Sequence, residues 1–323
     1  MQPTFRDLIA ANKRNTVLLV LLFCLFVTAV ALVLAVAVVA LANPDALYNL
    51  NWPEAALVGG GAALLSLLLS AAAYYRGADM VLAVSGGRRI EHKDDPELFN
   101  VVEEMAIAAG VPMPAVYLIL DPAPNAFATG RDPQHAAVAI TTGLRQKLTR
   151  DELQGVIAHE VSHIRNYDIR LMLLLTVLVG TVAMLCDLFW QLLRFTPSGS
   201  SRSRRDDKDG GGGGILVIVL VVIAVVLAVL APVLAQIIQL AVSRQREFLA
   251  DASAVELTRY PQGLANALRK IDDDPDVLQT ANRGTAHLFI ANPIEKYEAM
   301  AHSAFASHPP IKERIHRLEA LVR

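Results

Sequence analysis

Apolar residues gather into four long runs, Thr16–Ala42, Ala55–Tyr75, Ile169–Leu193 and Ile215–Val242. Each has about the 20 mostly apolar residues that a helix needs to cross a ~30 Å hydrocarbon layer. The first and last hold no charge, whereas the third carries Asp187 near its far end. Between and after the runs the periods are shorter. Pro96–Ala109 predicts an amphipathic helix stopped by Gly110. Ala115–Leu120 and Ala136–Thr142 predict strands, with Asn125–Thr129 a short extended piece between them. Thr149 followed three residues later by Glu152 is a capping box, so a helix is predicted from there through His163. The C-terminal polar stretch reads as helical, with Pro261 opening one helix and Pro310 another. No internal repeat interrupts this plan.

The runs divide the chain. Residues 1–76 form two N-terminal transmembrane helices (16–42 and 55–75), and 77–168 is the first part of a polar domain. Residues 169–242 hold two hydrophobic helices (169–193 and 215–242) joined by a loop rich in Gly, Ser and Arg, and 243–323 completes the polar domain. The predicted class is a mainly α membrane protein with about four transmembrane helices plus an α+β domain with a small sheet. Ala40-Leu41-Ala42 looks like a cleavage site, but the first run far exceeds the ~7–15 apolar residues of a signal peptide and reads as a retained anchor. Arg6, Lys13 and Arg14 precede it and the loop Asn43–Glu54 has no Lys or Arg, which puts the N-terminus in the cytoplasm. The loop Arg194–Gly214 holds five basic residues against three acidic ones, which contradicts a simple alternation of sides. Either it is translocated, or the last two runs form a hairpin that does not fully cross.

Composition narrows the class. Of 323 residues, 54% are apolar and 19% charged, with a mean hydropathy of +0.42, which excludes a disordered chain. A net charge of −2 gives no reason to expect nucleic-acid binding. Cys24 and Cys186 both lie inside apolar runs, against a disulfide framework and against a cysteine zinc site.

The candidate chemistry starts at His159-Glu160-Val161-Ser162-His163. Histidines at i and i+4 share a helix face and can reach one ion, while Glu160, turned by about 100°, lies beside the ion where it can take a proton from water. Leu153, Val156, Ile157 and Ile164 supply an apolar stripe to anchor this helix. A tetrahedral catalytic zinc wants a third protein ligand. Glu247 lies directly after the fourth run, with Asp251 one turn on, placed to accept the free N–H of a ligating imidazole. The bland alternative is a chance match plus a solvated helix face on which Glu247 and Asp251 pair with Arg244 and Arg246.

Four strings resemble the HtpX family of bacterial membrane zinc endopeptidases, gluzincins related to the CAAX prenyl endoproteases. They are NAFATG (Asn125–Gly130), HEVSHIRNYD (His159–Asp168), SRQREFLAD (Ser243–Asp251) and SHPPIKERIHRL (Ser307–Leu318). The resemblance implies a zincin-like catalytic domain and one zinc per chain, held by His159, His163 and Glu247, with Glu160 as general base and Asp251 behind a ligand. It implies that Asn125, Ala126, Phe127 and Ala128 form a strand beside the zinc, where an extended substrate can pair its backbone. It also implies His308 near the site as an oxyanion stabiliser, and Arg314 holding that region or binding the substrate backbone. Structural roles for these two remain open. The family's work is proteolysis of damaged or misfolded membrane proteins during envelope stress, by a multi-pass inner-membrane enzyme whose catalytic domain faces the cytoplasm. Asn166 and Asp168 are expected to pack or cap, and His135 to sit in a solvated loop.

Two apolar runs separate His163 from Glu247. An even number of crossings, or a hairpin that does not cross, returns both to one compartment, as a shared zinc requires. The rival reading is a non-catalytic membrane scaffold or transporter with a zinc-stabilised domain. The runs offer it few ionisable or amide groups along their length, among them Asp187, Gln236 and Gln239.

Overall fold

A computed structural model describes residues 5–42, 52–195, 213–278, 288–291 and 309–321. The elements in chain order are α1 (Phe5–Ala42), α2 (Trp52–Val84), β1 (Gly87–Arg89), α3 (Pro96–Ala109), β2 (Ala115–Ile119), β3 (Ala126–Gly130) and β4 (Ala136–Thr141). There follow α4 (Thr142–Lys147), α5 (Arg150–Arg165), α6 (Asp168–Phe195), α7 (Gly213–Thr258), α8 (Pro261–Asp273) and α9 (Ile311–Ala320). The chain is thus mostly helical with one small sheet. It separates into two units: Leu18–Ala71 with Val177–Gln236, and Met1–Val17 with Ala72–Thr176 and Ile237–Arg323.

The first unit consists of apolar helix. Among the described residues three stretches are long and apolar enough to cross a membrane: Leu21–Leu41, Asp168–Arg194 and Val217–Ala235. The remaining run, 55–75, is helical within α2. Along α1 the buried side chains Phe23, Val27, Val30, Leu34 and Ala37 recur every three or four residues, while Leu21, Leu22 and Leu25 point outward. Outward-facing leucines on a helix that is apolar all round suit a hydrocarbon solvent rather than water. On α7 the buried stripe is Ala224, Ala228, Ala231 and Ala235, small residues of the kind that let helices approach closely in lipid.

The second unit is built on a four-stranded sheet of order β1-β2-β4-β3. β2 and β4 are parallel, and the outer pairs β1–β2 and β3–β4 are antiparallel. Side chains alternate along the strands, so the sheet divides two cores. Val116, Ala126, Ala128, Val138 and Ile140 join the core that holds α3, α5 and α8, whereas Ile119, Phe127, Ala137 and Ala139 pack on the other face with Val81, Leu82, Met172 and Leu173.

Helix α5 is anchored most heavily. The predicted capping box is complete: the Thr149 N–H donates to Glu152 Oε2 at 2.8 Å and the Glu152 N–H to Thr149 Oγ1 at 3.5 Å. Lys270 on α8 adds a 2.7 Å bond to the same Glu152 oxygen. Leu153, Val156, Ile157, Val161 and Ile164 are fully buried, each worth about 1.5–3 kcal/mol on transfer from water. Two glycines let α8 lie against α5. A Cβ on Gly155 would sit 2.5 Å from the Leu264 backbone nitrogen, and one on Gly263 would sit 2.7 Å from the Asp151 carbonyl oxygen. The helix carrying the histidines is therefore held at its start, along its apolar stripe and against its neighbour.

Candidate active site

α5 presents His159 and His163 on one face, and the polar extension of α7 brings Glu247 to them. One donor atom from each of the three residues falls within 4.8 Å of the others. The two Nε2 atoms are 3.2 Å apart, His163 Nε2 is 3.4 Å from Glu247 Oε1, and His159 Nε2 is 3.5 Å from Glu247 Oε2. Four ligands placed tetrahedrally at ~2.1 Å from a common zinc are about 3.4 Å from one another. The three observed edges therefore have the size zinc requires, and the donor set, two imidazoles and a carboxylate, suits that ion.

The outer nitrogens are engaged as well. His159 Nδ1 lies 2.9 Å from Asp251 Oδ1, and His163 Nδ1 lies 3.1 Å from Asp168 Oδ2. An Nδ1–H donated to a carboxylate leaves the lone pair on Nε2, the nitrogen that faces the shared centre. Burial alone would push the His163 ring down, yet Asp168 and Glu247 prevail and hold it well above the ordinary histidine range. The surrounding carboxylates thus demand a positive charge here, which a proton or a metal ion can supply. Asp251 responds oppositely: burial would raise its carboxyl, but Arg314 and His159 hold it at about 2.

Glu160, buried beside the pair, is pushed up mainly by burial, against the pull of both histidines and a hydrogen bond from the Ala128 N–H. That bond comes from β3, the edge strand that sequence reasoning placed near the zinc. The other end of the predicted substrate strand is already paired. The Ile290 N–H donates to the Ala126 carbonyl at 2.8 Å, and Asn125 Nδ2 donates to the Ala291 carbonyl at 3.0 Å. Phe127 points away from the cluster and packs edge-on against Phe289, ring centroids 4.9 Å apart.

Arg314 is fully buried, and each of its guanidinium nitrogens is engaged. Nε and Nη2 fork onto Asp251 at 2.9 and 2.7 Å, and Nη1 donates to the Ile290 carbonyl at 2.8 Å. Of the two roles open to it from sequence, this geometry is that of holding the region. His308 lies outside the described residues. His135, at the end of a 3₁₀ turn, is exposed as expected and bonds Asp132 at 2.7 Å.

Two residues behave otherwise than expected. Asp168, read as packing or capping, faces His163, and Arg246, read as a solvated partner of Glu247 or Asp251, is buried with Nη1 2.5 Å from Asp168 Oδ1. Spacing along the sequence could not find either. Asp168 follows His163 by five residues and would lie on another face were the helix continuous. The chain instead turns at Tyr167, whose φ of 62° is left-handed.

The sequence profile of peptidase family M48 matches residues 92–322. Over 313 residues the chain is 41% identical to the protease HtpX homolog of Lactobacillus helveticus (strain DPC 4571), covering 97% of this chain and 98% of that one. It is 42% identical over 322 residues to the protease HtpX homolog of Caldanaerobacter subterraneus subsp. tengcongensis, with 98% of each chain covered. A crystal structure of S. mikatae Ste24p matches 79% of this chain and 57% of that one at 23% identity, with a TM-score of 0.47. The family is zinc-dependent, and it includes relatives that match this chain from end to end and carry the same protease name. The chain therefore belongs to peptidase family M48 and is a membrane zinc metalloprotease of the HtpX kind.

Proposed function

We propose that His159, His163 and Glu247 hold the zinc ion and that Glu160 moves the proton of peptide hydrolysis. The observation that carries this is the convergence of three donor atoms at zinc-sized spacings from two helices far apart in the chain. When bound, zinc supplies Lewis acidity, polarising the scissile carbonyl and acidifying water. Glu160 accepts a proton as water adds to the carbonyl carbon, then delivers it to the nitrogen as the C–N bond breaks, leaving a carboxylic acid and an amine. Asp251, braced by Arg314, keeps the His159 ring in its ligating orientation. An extended substrate pairs its backbone with the part of the β3 edge that Ile290 and Glu160 leave open, from the Ala128 carbonyl onward. His308 serves as the donor that steadies developing negative charge on the carbonyl oxygen.

The substrates in this reading are unfolded segments and loops of damaged or misfolded membrane proteins, cut at the cytosolic face of the bacterial inner membrane. Its support is proximity along the chain: the helix bearing both histidines ends at Arg165, and a candidate span begins at Asp168. The basic N-terminal tail supports the orientation.

The test is cleavage of a casein-like substrate by full-length protein in detergent, with zinc measured on the same samples. Glu160→Gln is expected to keep its zinc and to lose cleavage by at least about 10²-fold. His159→Ala and Glu247→Ala are expected to lose both. Retained proteolysis in Glu160→Gln would remove Glu160 as the base. In liposomes, a membrane-tethered substrate should be cut faster than its soluble version; equal rates would refute the membrane-proximal reading.

A further inference from the structure

The support behind the two histidines is doubled. Behind His159 stands Asp251, and behind Asp251 stands Arg314. His163 has the same arrangement built from different parts of the chain: Oδ2 of Asp168 lies 3.1 Å from His163 Nδ1, and Oδ1 of the same carboxylate lies 2.5 Å from Arg246 Nη1. Asp168 has no solvent-accessible side chain and Arg246 almost none. We infer that Asp168 and Arg246 are a positioning pair for His163, equivalent to Asp251 and Arg314 behind His159. The inference rests on His163 being a zinc ligand.

Three further features fit this role. A buried ion pair is costly to desolvate and is weak evidence for stability, so its position beside a functional ring asks for another account. The left-handed backbone at Tyr167, a residue with no ease there, is the kind of strain that persists where a site requires it. Its effect is to start α6 with the Asp168 carboxylate facing back toward His163. Finally, Arg246 and Glu247 are neighbours on α7 and differ by about 100° in direction. Glu247 reaches the inner nitrogen of His163, while Arg246 acts behind the outer one through Asp168. A single turn of α7 therefore sets the ring from both sides. The order of groups, arginine to carboxylate to imidazole, aims one carboxylate oxygen at His163 Nδ1, the arrangement that raises ligand basicity and stops the ring from rotating.

The experiment measures zinc affinity of the full-length protein in detergent by competition with a chromogenic chelator, together with the visible spectrum of the cobalt-substituted form and the melting temperature of the metal-free form. Asp168→Asn, nearly isosteric, is expected to weaken zinc binding about 10- to 100-fold and to alter the cobalt bands; the metal-free melting temperature should fall as well, since buried Arg246 loses its carboxylate, and it is read separately from the affinity. Arg246→Gln should weaken binding less, and Arg246→Lys should recover part of that loss. Wild-type affinity and an unaltered cobalt spectrum in Asp168→Asn would overturn the pairing. If Asp168→Asn does not fold, the arginine variants decide: wild-type affinity in Arg246→Gln overturns the pairing, and weakened binding with altered cobalt bands, both partly restored in Arg246→Lys, sustains it. His163→Ala separates the two readings. If it keeps its zinc, the ligand assignment falls and the pairing with it; if it loses zinc while Asp168→Asn does not, the pairing alone falls.

Discussion

Helices α1 and α5 are both regular, yet opposite forces fix their sequences. α1 is apolar nearly throughout its span, and large side chains such as Leu25, 67% exposed, face outward. α5 is buried on almost every side, and the interior around it accepts His159, two glutamates and a serine, with His163 partly buried beside them. In α1 the surrounding solvent does the selecting, so any apolar residue of suitable size serves. In α5 every polar side chain must meet a particular partner, because a buried polar group without one costs more than its hydrogen bond returns. Information in the first helix is spread thinly over many positions; in the second it is concentrated in a few.

Substitutions of matched size test that contrast. The largest loss of stability is expected from Arg314→Met, which leaves the Asp251 carboxylate buried without its guanidinium. About 3–5 kcal/mol should go, read as a fall in melting temperature of the metal-free protein. A loss within ~1 kcal/mol would mean that water reaches Asp251. Next comes a paired comparison. Ile157→Ala on α5 should cost about 2–5 kcal/mol, whereas Leu25→Ala on α1 should change stability by ~0.5 kcal/mol or less. Equal effects in the two helices would abolish the distinction drawn between them.

The smallest effect lies at Asp95, which caps α3 by accepting from the Leu98 N–H at 3.1 Å and is gripped by Arg145. Burial would raise its carboxyl, but the Arg145 hydrogen bond and the cap lower it below the usual 3.8. A depressed carboxylate stabilises the fold above its unfolded value and loses that contribution as pH falls through the folded one. Asp95→Ala should therefore cost ~1 kcal/mol at neutral pH, and its difference from wild type should shrink below about pH 4. A difference that persists unchanged at low pH would show that the cap acts without its charge.

The same contrast explains what could be read from the chain beforehand. Pro96 and Gly110 bound a helix by local chemistry alone, and α3 runs from Pro96 to Ala109 as the pattern predicts. Thr149 and Glu152 mark the start of α5 for the same reason, although the helix continues to Arg165, two residues past His163. The three longer strands were legible to within a residue or two because each is a short, mostly apolar run bounded by turn residues, and Ala136–Thr141 is buried at every position. Gly87–Arg89 was not, since three polar or small residues carry no periodicity, and pairing with β2 alone makes them a strand. α2 continues past Tyr75 to Val84 through Arg76 and Asp79, where charge had suggested an end to the span, though not to the helix.

At the site, residues with a local signature stood out: His159, Glu160 and His163 by their spacing, Glu247 and Asp251 by theirs. Asp168 and Arg246 did not, because their meeting depends on a backbone turn at Tyr167 and on the angle at which α7 returns. Ile290 and Ala291 were likewise invisible, since they join β3 through backbone groups that any residue possesses.

Arg246, Glu247 and Asp251 all stand on α7 within a turn and a half, so the helix itself fixes their directions relative to one another. One residue inserted between Glu247 and Asp251 would swing the second carboxylate by about 100°, away from His159, while leaving charge and composition nearly untouched. Exchange of Phe248 or Leu249 for another apolar residue should be tolerated far better than the gain or loss of a single codon there. The segment thus has a phase as well as a content.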